Sequence, residues 1–210
     1  MHYYPNVGWN SPLGRSYHID LTLRKNGLRP LRQFGPPAAD QIEAMPYTRL
    51  QGLLEPGFPP GLQNYWKSNF LNDITDEAIT VLIDHFRAVP SPSSAMAIEQ
   101  LGGALSRVAE TDTAFGHRSA RYNFLIVSSW PKPDENEKHI RWTRSLWQAM
   151  QPFSTGGVYV NYLGEEADEG AKRIHAAYGA AKHERLVKLK NKYDPGNLFR
   201  LNQNIKPAHA

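Results

Sequence analysis

Between Ala95 and Trp130 two strand-like segments follow one another with no helix between them. "AMAIEQLGGAL" (95–105) reads as a strand running into Gly102 and Gly103, and after a polar connection "YNFLIVSSW" (122–130) reads as the next. A parallel α/β sheet needs helices that alternate with its strands. This order does not supply them. Upstream, "LQNYWKSNFL" (62–71) reads as a strand, set off by the turn signals "EPG" and "PPG". "TDEAITVLIDHFRAV" reads as a helix capped by Thr75, with Asp76 and Glu77 at its positive end and Ile79, Leu82, Ile83 and Phe86 as its apolar stripe. "PKPDENEKHIRWTRSLWQAM" has helical periodicity through Ile140, Trp147 and Met150. "GVYVNY" reads as one more strand, and residues 168–192 as a helical region broken at Gly179 and stopped by "YDPGN". Its apolar face carries Ile174, Ala177, Tyr178 and Ala181. The first forty residues read as loops with one short strand at "YHIDLTL". The pattern predicts an α+β fold: an antiparallel sheet with helices packed on one face.

The 210 residues are 40% apolar and 21% charged, an ordinary globular composition. With no cysteine, disulfides, thiolate metal sites, iron–sulfur clusters, a cysteine nucleophile and a cysteinyl cofactor attachment are excluded. A net charge of +4 and a pI near 9.2 fall short of an argument for nucleic acid. No apolar run is long enough to span a bilayer, and the opening residues lack the pattern of a signal peptide. The expectation is a soluble, cytoplasmic protein with no nucleic-acid or membrane partner.

Phosphate-cradling glycine loops and the GxSxG elbow are missing. His175 and His183 are eight residues apart, too far for a pair on one helical face, so zinc binding of the HExxH kind is not supported and no metal is expected. "KHERLVKLKNK" reads as a solvated helix face, and the acidic run "EEADEG" as an N-terminal charge preference. "AFGHRSARY" gathers His117, Arg118 and Arg121 between strands, as loop solvation or as a contact to an anion or polar substrate. In "YWKS" the pleat puts Tyr65 and Lys67 on one face, where a lysine is a snorkelling rim residue or part of a cleft. In "YVNY" regular pleating puts Tyr159 and Asn161 on one face and Tyr162 on the other. Both sets reach one cleft only if the strand bulges or ends there.

The tail "RLVKLKNKYDPGNLFRLNQNIKP" (185–207) resembles the C-terminal segment of the berberine bridge enzyme-like flavoproteins, FAD-linked oxidases of the p-cresol methylhydroxylase/vanillyl-alcohol oxidase type. "YVNY", "PYTRLQGLL", "PPGLQNYWKSNFL", "EQLGGALSRV" and "TAFGHR" resemble the family's substrate domain in the same order, so the likeness covers residues 28–207. It implies three stretches: an unmatched 1–27, a substrate-domain-like 28–165, and a C-terminal segment 166–210 that docks toward a missing flavin domain. Nothing in the chain corresponds to the family's N-terminal FAD-binding domain.

The resemblance implies FAD as cofactor and a small-molecule substrate whose alcohol or amine C–H gives a hydride to the flavin, with dioxygen as reoxidant. It also implies a flavin-binding unit on a separate chain. Tyr162 matches the tyrosine that serves as base in several members, and Asn161 a flavin-side polar contact. Tyr159, Asn202 and Asn204 are candidate ring or tail contacts. Tyr65, Lys67, Gln100 and His117 are candidate cleft-lining residues. A phenol titrates near about 10, so a base role calls for a neighbour that lowers it, for which Lys67 and Arg118 are the candidates. The competing reading is a truncated remnant or binding module that keeps the fold and binds no FAD alone.

Overall fold

The computed structural model describes residues 29–30, 32–35, 45–52, 54–164 and 170–208. The expected strand at 17–23, the acidic run at 165–169 and the boundaries at 27/28 and 165/166 lie outside the described residues. The chain divides into two units, residues 2–59 and residues 60–210. In the first, helix α1 (Tyr47–Gln51) is followed by a 3-10 turn at Glu55–Gly57, where the sequence carries "EPG".

The second unit is built on a three-stranded antiparallel sheet. Strands β1 (Gln63–Leu71), β2 (Ala95–Gln100) and β3 (Tyr122–Trp130) lie in the order β1-β3-β2. Helix α2 (Asp76–Arg87) joins β1 to β2, and the short α3 (Ala104–Arg107) follows Gly103, whose φ of 58° suits glycine. Helix α4 (Asn136–Ala149) packs across β1 and β3. Leu71, Phe124 and Ile126 from the sheet meet Ala78 and Leu82 of α2 and Trp142, Leu146 and Met150 of the α4 region in one apolar core.

Thr75 caps α2 through its Oγ1, which accepts from the Ala78 N–H at 3.2 Å. The expected stripe of α2 is turned, however. Ala78 and Leu82 are buried, while Ile79, Ile83 and Phe86 are 40%, 47% and 50% exposed. In α4 the buried stripe is His139, Trp142, Thr143, Leu146 and Met150, and Ile140 and Trp147 are only half-buried. His139 takes this place because its ring stacks on Trp130, at 4.5 Å and 4° between planes.

"GVYVNY" is not a strand. The chain runs along β1 only as far as Gly157, with Thr155 N–H on Phe70 O (2.9 Å) and Phe70 N–H on Gly157 O (3.1 Å). It then closes a 3-10 turn over Val160–Tyr162, in which the Tyr162 N–H bonds Tyr159 O at 2.9 Å and the Leu163 N–H bonds Val160 O at 3.2 Å. Local bonds thus satisfy donors that a strand would have offered to a neighbour. Helices α5 (Gly170–Tyr178) and α6 (Ala180–Tyr193) are separated at Gly179, whose φ is 73°. Of the expected face, Ala177 is buried and Ile174 and Tyr178 pack beside it, while Ala181 is exposed.

Candidate functional site

The register sorts the sheet side chains into two faces. Tyr65, Lys67, Met96, Gln100 and Ile126 point to the side covered by α4. Asn64, Trp66, Ser68, Phe70, Glu99 and Asn123 point to the opposite side. On this second face the turn at 160–162 brings Tyr162 over β2, where its hydroxyl donates to Glu99 Oε1 at 2.8 Å. The other oxygen, Glu99 Oε2, accepts from Asn123 Nδ2 at 2.7 Å. Burial, then the Glu99 hydrogen bond and charge, push the Tyr162 phenol well above its ordinary value. Beneath this pair Ser68 Oγ and Asn123 Oδ1 are buried with no partner among the described residues.

Tyr159 stands edge-on to Tyr162 at 5.2 Å and 88°, and its hydroxyl accepts from Asn161 Nδ2 at 2.7 Å. Asn161 in turn lines an open cleft of about 770 Å³. Asn64, Tyr65 and Trp66 of β1 form one wall, and Tyr178, Leu201, Asn202 and Gln203 contribute others. The tail reaches the cleft because Gln203 Nε2 donates to Leu163 O at 3.0 Å and Gly164 O at 3.3 Å. Asn202 adopts φ 57°, a left-handed conformation that asparagine tolerates, and its carbonyl accepts from the Asn204 N–H at 2.9 Å.

So the structure brings Asn161 and Asn202 together around the cleft, which Tyr65 lines from β1 with its ring turned to the α4 face, where Arg144 Nε donates to its hydroxyl at 3.0 Å. Tyr159 adjoins the cleft through its bond to Asn161, and Tyr162 does not line it. Lys67, Gln100, His117 and Asn204 do not line it. Lys67 is 2% exposed on the α4 side, its ammonium 5.3 Å from the Trp147 ring and 5.8 Å from the Tyr65 ring. It is not a rim residue. Gln100 is exposed at the end of β2. His117 is wedged between Phe70 (5.1 Å) and Gly157, and its Nε2 bonds Ala176 O at 2.7 Å. Arg118 is engaged by Leu105 O and Thr113 Oγ1. The bonded neighbour of Tyr162 is therefore Glu99, in place of the cations that sequence suggested. Glu99 was missed because an acid in "AMAIEQ" reads as the solvated side of an edge strand. Its place on the same face as Asn123 is the signal that could have marked it.

The cleft lining tests what could sit there. Four carboxamides (Asn64, Asn161, Asn202, Gln203) and the rings of Trp66 and Tyr178 offer donors, acceptors and stacking surface, and among the described residues no lining side chain is charged. That set fits the flat, neutral ring of a flavin, which presents N–H and C=O groups at its edge. It does not fit a pyrophosphate, which calls for cations or a glycine-rich nest.

Known proteins align with this chain. Solved structures of similar fold are flavoenzymes. CrmK, a flavoenzyme of the shunt product recycling mechanism in caerulomycin biosynthesis, is 26% identical with a TM-score of 0.70, over 90% of this chain and 42% of that one. The glycopeptide hexose oxidase DBV29, solved with teicoplanin, is 25% identical with a TM-score of 0.62, over 70% of this chain and 33% of that one. Residues 158–206 match the family model described as Berberine and berberine like, and the chain's homologues are FAD-linked oxidoreductases of that berberine bridge enzyme-like family. An FAD-linked oxidoreductase of Dictyostelium discoideum is 31% identical over 180 residues, which are 84% of this chain and 38% of that protein. The chain spans about two fifths of the length of such curated relatives. Among the described residues no helix is long and apolar enough to cross a membrane.

Proposed function

We propose that residues 60–208 are the substrate-side part of an FAD-dependent oxidoreductase of the p-cresol methylhydroxylase/vanillyl-alcohol oxidase type. The observation that carries this reading is the hydrogen bond from Tyr162 to Glu99 on the same sheet face whose Asn64 and Trp66 line an amide-rich cleft. A flavin, when bound, would supply the two-electron acceptor, with dioxygen as its reoxidant. Asn161 and Asn202 would hold the edge of its ring, while a separate flavin-binding chain would hold its pyrophosphate. Tyr159 supports Asn161 through their hydrogen bond.

The substrate alcohol or amine loses a hydride from carbon and a proton from oxygen or nitrogen, leaving a carbonyl or imine. Tyr162 is held protonated, so it acts as a relay. Its oxygen lone pair takes the substrate proton as its own proton passes along the 2.8 Å bond to Glu99. Asn123 keeps Glu99 turned toward the phenol. A second reading, a binding module that takes no FAD alone, is favoured by the lack of a cation among the described residues that line the cleft.

A chimera decides between them: this chain replaces the matching segment of the Dictyostelium relative. The catalytic reading expects a yellow, oxidase-active protein in which Tyr162→Phe loses about 100-fold in kcat, within the usual range for acid–base groups, with flavin content unchanged. A folded chimera without flavin, or a Tyr162→Phe variant of full activity, would overturn it.

A further inference from the structure

In an uninterrupted helix, residues eight apart are separated by about 12 Å along the axis. His175 lies in the last turn of α5 and His183 in the first turn of α6, and the break at Gly179 brings their ring centres to 5.2 Å. The planes are inclined at 46°, unlike the parallel stack of Trp130 on His139. The two imidazoles therefore make an open wedge rather than a stack. The loop before β3 fixes both helices independently of the rings. His117 Nε2 bonds Ala176 O of α5 at 2.7 Å. Lys182 Nζ of α6 donates to Phe115 O at 2.8 Å and to Glu110 Oε1 at 2.6 Å, and Arg185 donates to Thr111 O at 3.3 Å. His175 is exposed, which leaves the wedge open to solvent.

We propose that His175 and His183 form a two-imidazole site for a tetrahedral divalent cation of the zinc type, bridging α5 and α6 across Gly179. A zinc–nitrogen bond is about 2.1 Å, and the ring centre lies roughly 1.1 Å farther out, so at the tetrahedral angle two ligating rings sit ~5.2 Å centre to centre. The two ring centres stand 5.2 Å apart, a separation at which a nitrogen of each can reach one such ion. A right-angled, square-planar pair would need ~4.5 Å by the same bond lengths. Among the described residues no third His, Cys, Asp or Glu completes a cluster, so water fills the remaining positions. Such a site is exchangeable and does not depend on the flavin reading.

The test is calorimetric titration of the whole chain with zinc chloride at neutral pH, beside His175→Ala and His183→Ala. The wild type is expected to take up one zinc saturably, each variant to bind at least about tenfold more weakly, and magnesium chloride to give no signal. Because the chain has eight histidines, the comparison with the variants rather than binding itself decides. His175 is exposed, so His175→Ala keeps its fold, as circular dichroism would verify, and decides alone if His183→Ala unfolds. No saturable zinc uptake by the wild type, or wild-type affinity in folded His175→Ala, overturns the site.

Discussion

Around Leu146 the chain is held by interlocking apolar side chains from two helices and two strands. Around Gln203 it is held by hydrogen bonds to backbone carbonyls. There the buried apolar cluster is Val158, Leu163 and Ala177. The remainder is polar: Gln203 on Leu163 and Gly164, His117 on Ala176, and Asp194, whose carboxylate accepts from the N–H groups of Leu198 (2.8 Å) and Phe199 (3.1 Å) and from Lys190. Apolar packing tolerates no void but is indifferent to direction. Hydrogen bonds fix direction and contribute little net energy each. The region that must be strong and the region that must be aimed are built accordingly.

The largest effect should fall in the apolar core. Leu146→Ala is expected to cost about 3 kcal/mol and Leu163→Ala nearer ~2 kcal/mol, by urea unfolding. Equal losses would erase the contrast between the two regions. Next comes Gly157→Ala. A Cβ there would overlap the His117 ring, and the ring cannot swing away without giving up Ala176. A cost of about 2 kcal/mol is expected, together with shifted Ala176 and Ala177 amide resonances.

Gln203→Ala should cost about 1 kcal/mol. It should appear as faster hydrogen exchange over 198–206 with core amides unchanged. Slowed or unaltered exchange in the tail would show that the polar bonds do not aim it. The smallest effect is with pH. Burial in the α4 core, then the charge of Lys138, hold His139 below the usual imidazole value of about 6.5. The unfolded chain takes up a proton at that pH which the folded chain refuses. Stability is therefore unaffected above ~6.5 and declines as pH falls below it, and His183 acts in the same sense. Unfolding midpoints between pH 7.5 and 5.5 test this, and His139→Phe should flatten the profile.

Much of the sheet unit was legible in sequence because its signals are local. The Thr75 cap, the strands 62–71 and 122–130, and the break at Gly179 each depend on a few adjacent residues. The orientation of α2 and α4 was not, because which of two apolar arcs is buried depends on what faces it. "YVNY" misled for a related reason. A short apolar run suits a strand or a turn, and here the chain turns, with Tyr162 bonded to Glu99, 63 residues earlier in the chain. That turn also removes the pleating difficulty, since Asn161 and Tyr162 need not alternate across a sheet. Lys67 read as a rim or cleft-lining residue because nothing near it in sequence announces that α4 covers its face.

Strand β2 has a consequence for how such a chain behaves in company. Among the described residues it pairs with β3 on one side only. Its sequence, "AMAIEQ", has no proline or lysine to discourage a visitor, and Ile98 is exposed. The one charge, Glu99, is occupied by Tyr162 and Asn123. Natural sheets guard free edges with charge or bulges, and this one has spent its guard on the phenol. A purified chain should tend to recruit a second strand along β2, and a lysine introduced at Ala97 would be the simplest sentinel.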